Sequence, residues 1–344
     1  MDDHSSASPS PSIAHRALRR RPVVLTGLLG VASLAGCGSL SSKPRPASTD
    51  DPGAMSPTAA PEDFSTESAP AASASATPNP LDGWTLEQKV GQLLMVGADT
   101  SGPQMVSIDA VATHHVGNVF IARQTRSGAD SVRGVITALT DLVGPDATHD
   151  TPLLVATDQE GGQVQVLGGS GFSDIPSASE QAIMSTDDLT ASARTWGQEL
   201  ADVGVTMNLA PVADLVDIPD PSSNAPIGRW GREYGQSATT SQDRAIAFAR
   251  GMEAAGVIPT YKHFPGLGRV TANTDTADGV TDSITTRSGD PAVSVFAEAI
   301  TGGARVIMVS SAIYSAIDSS APATFSSVVV MPLWMTCAAH SADI

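Results

Sequence analysis

The sequence predicts an α/β fold, a TIM-type (β/α)8 barrel of which about six β/α units are recognisable. Short apolar, β-branched runs alternate with longer stretches of helical periodicity, a pattern typical of parallel strands joined by crossover helices. Polar residues follow several of these runs directly, and a barrel places its functional residues at the carboxyl ends of its strands. An open, doubly wound sheet is the alternative, which is disfavoured because no Gly-x-Gly-x-x-Gly opens a helix after the first strand.

The ordered part begins near Thr85, which forms a capping box with Gln88 for a first helix that carries Val90 and Leu94. The apolar runs place strands at residues 94–96, 118–121, 153–156, 205–209, 258–262 and 305–309. The helical stretches are residues 105–114, 131–143, 178–203, 239–255 and 292–301. The barrel domain is therefore expected at residues 81–330. The chain of 344 residues is long enough for one domain of this size.

Residues 1–36 have the layout of a lipoprotein signal peptide. A basic segment with Arg16 and Arg19 precedes an apolar run, residues 22–36, that is too short to span a bilayer comfortably. The run ends in Leu-Ala-Gly before Cys37, which resembles a bacterial lipobox. We expect lipidation of Cys37 and a location in the cell envelope, on the outer face of the cytoplasmic membrane. An uncleaved anchor with a buried cysteine is the alternative.

Residues 37–80 are rich in Ser, Ala, Pro and Thr and predict a disordered tether, because they hold too few large apolar residues to form a core. The net charge of −17 disfavours nucleic acid as a partner. The two cysteines show no zinc-ligand spacing. His114 and His115 are adjacent but point in different directions, so we expect surface histidines and no metal.

Four motifs resemble glycoside hydrolase family 3, of the β-N-acetylglucosaminidase kind. Residues 262–275 read Lys-His-Phe-Pro-Gly-Leu-Gly-Arg-Val-Thr-Ala-Asn-Thr-Asp, which is similar to the family signature Lys-His-Phe-Pro-Gly-His-Gly-x4-Asp-Ser-His. Residues 158–165, 208–214 and 227–235 are similar to its Asp-Gln-Glu-Gly-Gly-Arg-Val, Asn-x-Ala-Pro-x-x-Asp and Ile-Gly…Arg-Ser-Phe-Gly segments. The resemblance extends over about residues 81–326.

The resemblance implies a retaining hydrolase of terminal β-linked N-acetylglucosamine that acts on cell-wall fragments without a cofactor. It implies that Asp158, Arg232, Lys262 and His263 bind the sugar, and these side chains supply both acceptors and donors for hydroxyl groups. Without the resemblance, Asp158 could equally be a helix cap and Glu160 a solvated acid.

The resemblance places the general acid/base in the loop at residues 266–282, which shows no apolar periodicity and is expected to be mobile. The relatives carry a His there, oriented by an Asp two residues earlier. This chain has Asp275 and Asn273 instead, so we expect Asp275 to be the acid/base and Asn273 to orient it. The alternative is that the pair makes an Asx turn. Leu267 and Gln163 replace a family His and Arg, which affects supporting contacts only.

The relatives' nucleophile is an Asp in a Ser-Asp-Asp type motif after a seventh strand, and no such motif follows residue 309 here. Residues 331–344 form an atypical tail in which Asp343 has no strand before it. We therefore expect a C-terminally truncated or frameshifted product whose activity is crippled. Two other hypotheses are a non-catalytic, sugar-binding envelope lipoprotein and a two-lobed solute-binding lipoprotein.

Overall fold

The helices and strands of the barrel alternate along the chain. A computed structural model describes residues 79–287 and 289–331. The helices within these residues are α1 (Leu86–Gly91), α2 (Met105–Ala112), α3 (Ala129–Thr140), α4 (Pro145–Thr148), α5 (Ala178–Gln181), α6 (Thr186–Asp202), α7 (Ala238–Ala254) and α8 (Pro291–Thr301). The strands there are β1 (Met95–Asp99), β2 (Asn118–Ala122), β3 (Leu154–Thr157), β4 (Gln159–Gly161), β5 (Val164–Gln165), β6 (Met207–Asn208), β7 (Ile258–Pro259), β8 (Tyr261–Phe264), β9 (Thr281–Asp282), β10 (Ile307–Val309) and β11 (Ile313–Tyr314).

The sheet is parallel and follows the order of the chain. Strands β1, β2, β3, β6 and β7 are neighbours in that order, and β8, one residue beyond β7, pairs in parallel with β10. The register of the first pair sets Met95 opposite Asn118. All carboxyl ends therefore lie at one edge of the sheet, which is where a barrel collects its functional side chains. The predicted α/β barrel fold is confirmed, with five parallel β/α units followed by a sixth parallel strand, β10, in the described part of the chain.

Helices α6 and α7 pack closely against each other because of a glycine at their contact. A Cβ on Gly251 would lie 2.5 Å from the carbonyl oxygen of Thr190. The Thr190 hydroxyl donates a hydrogen bond of 3.1 Å across this contact to the carbonyl oxygen of Ala247. The two helices bury Leu200 and Phe248 in the core.

Most predicted elements are present, with differences in extent. The capping box of Thr85 and Gln88 is confirmed, but α1 ends at Gly91, before Leu94. The stretch at 178–203 is two helices, because Ser185 starts α6 by accepting from the amide of Asp188. The β4–β5 hairpin and the β9–β11 pair were not predicted. No helix of the described residues is long and apolar enough to cross a bilayer.

Candidate active site

A cavity of about 350 Å³ opens at the carboxyl ends of the strands. The side chains predicted to carry the function all line it, and its full lining is Asp158, Glu160, Val164, Pro226, Arg232, Lys262, His263, Leu267, Asn273, Thr274, Asp275, Met308, Val309, Ser310 and Ser311. These residues come from the ends of β3, β8 and β10, from the β4–β5 hairpin and from the loops between these elements. The structure thus brings together five side chains that are up to 117 residues apart in the chain, from Asp158 to Asp275.

Four charged side chains form a charge cluster at the base of this first cavity: Asp158, Glu160, Arg232 and Lys262. Glu160 lies at its centre, with its side chain 4% exposed. Arg232 donates to both Glu160 oxygens, at 2.9 Å from Nε and 2.7 Å from Nη2. Nζ of Lys262 lies 2.5 Å from Oε1 of Glu160 and 2.7 Å from Oδ1 of Asp158. Two cations and two anions therefore neutralise one another inside the barrel.

Glu160 and Lys262 stay ionised despite their burial. Burial alone would raise the pKa of Glu160, but Lys262 and Arg232 outweigh it and lower that pKa to about 2. Burial would likewise lower the pKa of Lys262, and the nearby carboxylates of Glu160 and Asp158 raise it instead. Asp158 is the more accessible of the cluster's two carboxylates, with its side chain 26% exposed against 4% for Glu160. It is therefore the acceptor of the cluster best placed to meet a ligand.

The β4–β5 hairpin turns Glu160 inward. The residue before it, Gln159, exchanges two 3.0 Å hydrogen bonds with the Asn208 side chain through its backbone amide and carbonyl. Gly161, directly after Glu160, has φ of +108°, and a Cβ there would collide with the carbonyl oxygen of Pro176. Both neighbours of Glu160 are thus held, and its carboxylate is fixed toward Lys262.

His263 is held by a buried aspartate. Nδ1 of its ring lies 2.7 Å from Oδ2 of Asp214, and its backbone amide donates at 3.0 Å to Oδ1 of the same residue. The amide of Leu267 donates to that oxygen as well, at 2.8 Å. Asp214 is fully buried, and the segment leading to it runs beside β8 through a bridge between Val212 and Lys262. The ring orientation of His263 is therefore fixed.

Arg232 leaves a loop that is tied to the rest of the site. Its Nη1 donates at 2.8 Å to the carbonyl oxygen of Pro226. Asn224, fully buried, accepts from the amides of Ile227 and Gly228 at 3.0 and 2.8 Å. The Asn224 amide group donates to the carbonyl oxygens of Leu267 and Val270 at 2.8 and 2.7 Å. One side chain thus joins this loop to the loop that carries Asp275.

Asp275 lies at the mouth of the cavity and is exposed. Its backbone amide donates at 2.9 Å to Oδ1 of Asn273, which is the Asx turn that was the alternative reading. No hydrogen bond joins the two side chains in the described part of the chain, so the orienting role of Asn273 stays a prediction. The role of Asp275 in proton transfer also stays a prediction.

The start of the 266–282 loop is anchored rather than free. Arg269 pairs with Asp217 at 2.7 Å and with Asp290 at 2.9 Å. Leu267 and Val270 are buried in the core. Residues 267–270 are thus held to the rest of the protein by ion pairs and buried apolar side chains, and the mobility of the loop stays a prediction. Residues 273–279 have intermediate or full exposure.

Two alternatives for the charged residues were wrong. Asp158 caps no helix, since it lies between β3 and β4, and Glu160 is buried rather than solvated. Sequence reasoning missed the roles of Glu160 and Asp214. The available signal was that both belong to the quoted motifs, one of which starts directly after β3 and the other at the last residue of β6.

Several predictions fall outside the described residues: the signal peptide, lipidation of Cys37, all but the end of the 37–80 tether, and nearly all of the 331–344 tail. Of the two adjacent histidines, His114 is exposed and lies 3.5 Å from Asp109, whereas the His115 ring contacts the carbonyl oxygen of Ala147 at 2.9 Å. Among the residues that the structure covers, no group of three or more acidic, His or Cys side chains could hold a metal ion.

Comparisons with known proteins agree with this geometry. The family model "Glycosyl hydrolase family 3 N terminal domain" matches residues 85–334. Beta-hexosaminidase LpqI of Mycobacterium tuberculosis is 31% identical over 247 residues, which are 70% of this chain and 58% of that protein. The chain thus spans less than two thirds of the length of this curated relative.

Two solved structures are also similar to this chain. The crystal structure of a beta-N-acetylhexosaminidase from Beutenbergia cavernae superposes with a TM-score of 0.72 at 50% identity, covering 73% of this chain and 75% of that one. A glycoside hydrolase family 3 beta-N-acetylglucosaminidase from Paenibacillus superposes with a TM-score of 0.65 at 28% identity, covering 73% and 47%.

The fold and the site define an α/β barrel with a charged, ligand-sized cavity at its strand ends, the arrangement of a barrel enzyme. The match over residues 85–334 then gives the family: the chain belongs to the glycosyl hydrolase family 3 N-terminal domain family.

Proposed function

We propose that this protein acts on terminal β-linked N-acetylglucosamine, as a β-N-acetylhexosaminidase. One observation carries the proposal: Asp158, Arg232, Lys262 and His263 converge on a single cavity that also reaches Asp275. Carboxylate, guanidinium, ammonium and imidazole groups supply acceptors and donors at fixed positions, and sugar hydroxyls need both. The printed names of its relatives in Mycobacterium and Beutenbergia support the same substrate class.

In the proposed chemistry, Asp275 protonates the oxygen of the leaving group. Its exposed position at the cavity mouth suits a group that exchanges protons with substrate and water. A retaining mechanism also needs a second carboxylate about 5–5.5 Å away as nucleophile. Among the described residues, the cavity's other carboxylates, Asp158 and Glu160, are ion-paired with Lys262 or Arg232. The described part of the chain therefore assigns no nucleophile.

Because the ion pairs occupy both of these carboxylates, they favour a second candidate function, which is sugar binding without turnover. The two candidates differ in one measurement, the release of nitrophenol from 4-nitrophenyl N-acetyl-β-D-glucosaminide by the purified chain. A calorimetric titration with N-acetylglucosamine accompanies it, with Asp158→Asn as the matched variant. Turnover supports hydrolysis; binding that Asp158→Asn weakens, without turnover, supports the second candidate. Absence of both binding and turnover would reject both.

We further propose that the substrate is a cell-wall fragment outside the cytoplasmic membrane, to which the protein is attached by lipid on Cys37. The basic segment before residue 22, the apolar run and the Leu-Ala-Gly-Cys sequence support this. Cys37→Ala should move the protein from the membrane fraction to the soluble fraction. Unchanged fractionation, or no incorporation of labelled fatty acid into the wild-type protein, would contradict the anchor.

A further inference from the structure

A second cavity of about 370 Å³ adjoins the first. It is lined by Gln163, Val164, Pro226, Trp230, Arg232, Asn273 and Asp275. Five of these residues line both cavities: Val164, Pro226, Arg232, Asn273 and Asp275. The two cavities are therefore continuous, and Asp275 lies where they meet. Trp230 and Gln163 belong to the second cavity alone.

Trp230 is an exposed aromatic side chain that is nevertheless held in place. Its residue exposure is 49%, and its indole Nε1 donates at 3.0 Å to the carbonyl oxygen of Ala225. Its backbone amide donates at 3.0 Å to Ile227, whose own amide is bound by the buried Asn224. The next residue, Gly231, accepts at 3.1 Å from the amide of Ser179. The ring is thus fixed from its own N–H and from both sides of its backbone.

A fixed, half-exposed indole in a polar cavity matches the chemistry of a sugar ring. One face of a β-linked pyranose consists of C–H groups and packs on an aromatic surface, while its hydroxyls point outward to hydrogen-bonding groups. Gln163 and Asn273 offer both donors and acceptors at the same cavity, and Asp275 offers acceptors. A purely apolar occupant would leave these polar groups without partners.

We propose that the second cavity binds the sugar on the leaving-group side of the bond, stacked on Trp230, so that the preferred ligand is a β-linked disaccharide or longer glycan with a terminal N-acetylglucosamine. This inference rests on the proposed function. The terminal ring occupies the first cavity, the linkage oxygen lies beside Asp275, and the following ring lies over Trp230. Trp230 is then a residue that determines specificity, whereas the charge cluster recognises the terminal sugar.

The test compares two ligands by calorimetric titration. One is N-acetylglucosamine, and the other is the thio-linked disaccharide of two N-acetylglucosamine units, whose sulfur bridge resists hydrolysis. The wild-type chain should bind the disaccharide about tenfold more tightly, since one stacked ring contributes about that factor. Trp230→Ala should bring this ratio close to one and leave the affinity for N-acetylglucosamine unchanged, while Trp230→Phe should keep most of the ratio.

Ile183→Ala is the matched control, because Ile183 is also an exposed apolar residue, at 86%, and lines neither cavity. It should bind both ligands as the wild type does. Equal affinity of the wild type for both ligands, or a ratio unaffected by Trp230→Ala, would overturn this inference and leave the proposed function standing. Failure of the wild type to bind either ligand would overturn both.

Discussion

The charge cluster and Asp275 border the same cavity but differ in burial. Glu160 and Lys262 have side chains only 4% and 3% exposed, and each is held by ions of opposite sign. Asp275 is exposed, and the hydrogen bond at that residue is made by its backbone amide rather than its carboxylate. Burial and pairing fix the charge of a group, whereas contact with solvent lets it change. The proposed binding and proton-transfer roles thereby fall on different parts of one cavity.

The sharpest test of this contrast is Asp275→Asn. It should lower kcat/KM for a disaccharide substrate by about 10²–10⁴-fold, because the asparagine cannot give up a proton to the leaving oxygen. The loss should be much smaller for a 2,4-dinitrophenyl glycoside, whose leaving group departs without protonation. The midpoint of urea unfolding should stay at the wild-type value. Equal losses for both substrates would contradict the assignment of Asp275 as the acid.

Glu160→Gln should produce the opposite pattern, a large loss of stability. It leaves Arg232 and Lys262 buried with one counter-charge fewer, and breaking a buried ion pair costs about 3–5 kcal/mol. The free energy of unfolding in urea measures it. Asp130→Asn is the control, since it breaks an exposed pair with Arg133 and should leave that free energy unchanged. A loss below about 1 kcal/mol for Glu160→Gln would show that the cluster is not what holds this region.

Acid should weaken the protein through the same carboxylate. The folded pKa of Glu160 is about 2, below its ordinary value of 4.5, so its contribution to stability is complete above about pH 4.5 and is lost as the pH falls toward 2. The contribution is at most roughly 3 kcal/mol. Unfolding free energies measured between pH 5 and pH 2.5 should fall less steeply in Glu160→Gln than in the wild type. Parallel curves for the two proteins would contradict this origin.

The smallest of these effects is expected at Asn224, which joins the loops that carry Arg232 and Asp275. Asn224→Ala removes hydrogen bonds to four backbone groups, three of them buried, and should cost about 1–3 kcal/mol of unfolding free energy. It should also reduce the preference for the disaccharide, because Trp230 loses its support. Asn118→Ala is the matched control, since its amide group also bonds backbone carbonyls but lies at the start of β2. If Asn224→Ala leaves the preference for the disaccharide unchanged, Asn224 does not support Trp230, and the two loops act independently.

Much of the barrel could be predicted, because strands buried on both faces are apolar and helices keep their own period. The separate start of α6 was missed, since Ser185 interrupts the predicted helix by capping α6 through a hydrogen bond from the amide of Asp188. The site residues followed from motifs placed after strands. The inward direction of Glu160 did not follow from a motif, because it depends on the pairing of β4 with β5. Side-chain alternation can be read from a sequence only after the strand itself has been recognised.

Trp230 shows a further limit. Its position beside Asp275 depends on Asn224 joining two loops that are more than 40 residues apart in the chain. Such a contact leaves no local pattern in the sequence.

The pairing of His263 with Asp214 decides which part of its ring a ligand meets. The Asp214 carboxylate holds Nδ1, so Nε2 is the ring nitrogen that is left for a ligand. Lys262 and Arg232 have no lone pair to offer a hydroxyl. His263 adds the Nε2 of a fixed ring to the ammonium and guanidinium donors on this side of the cavity.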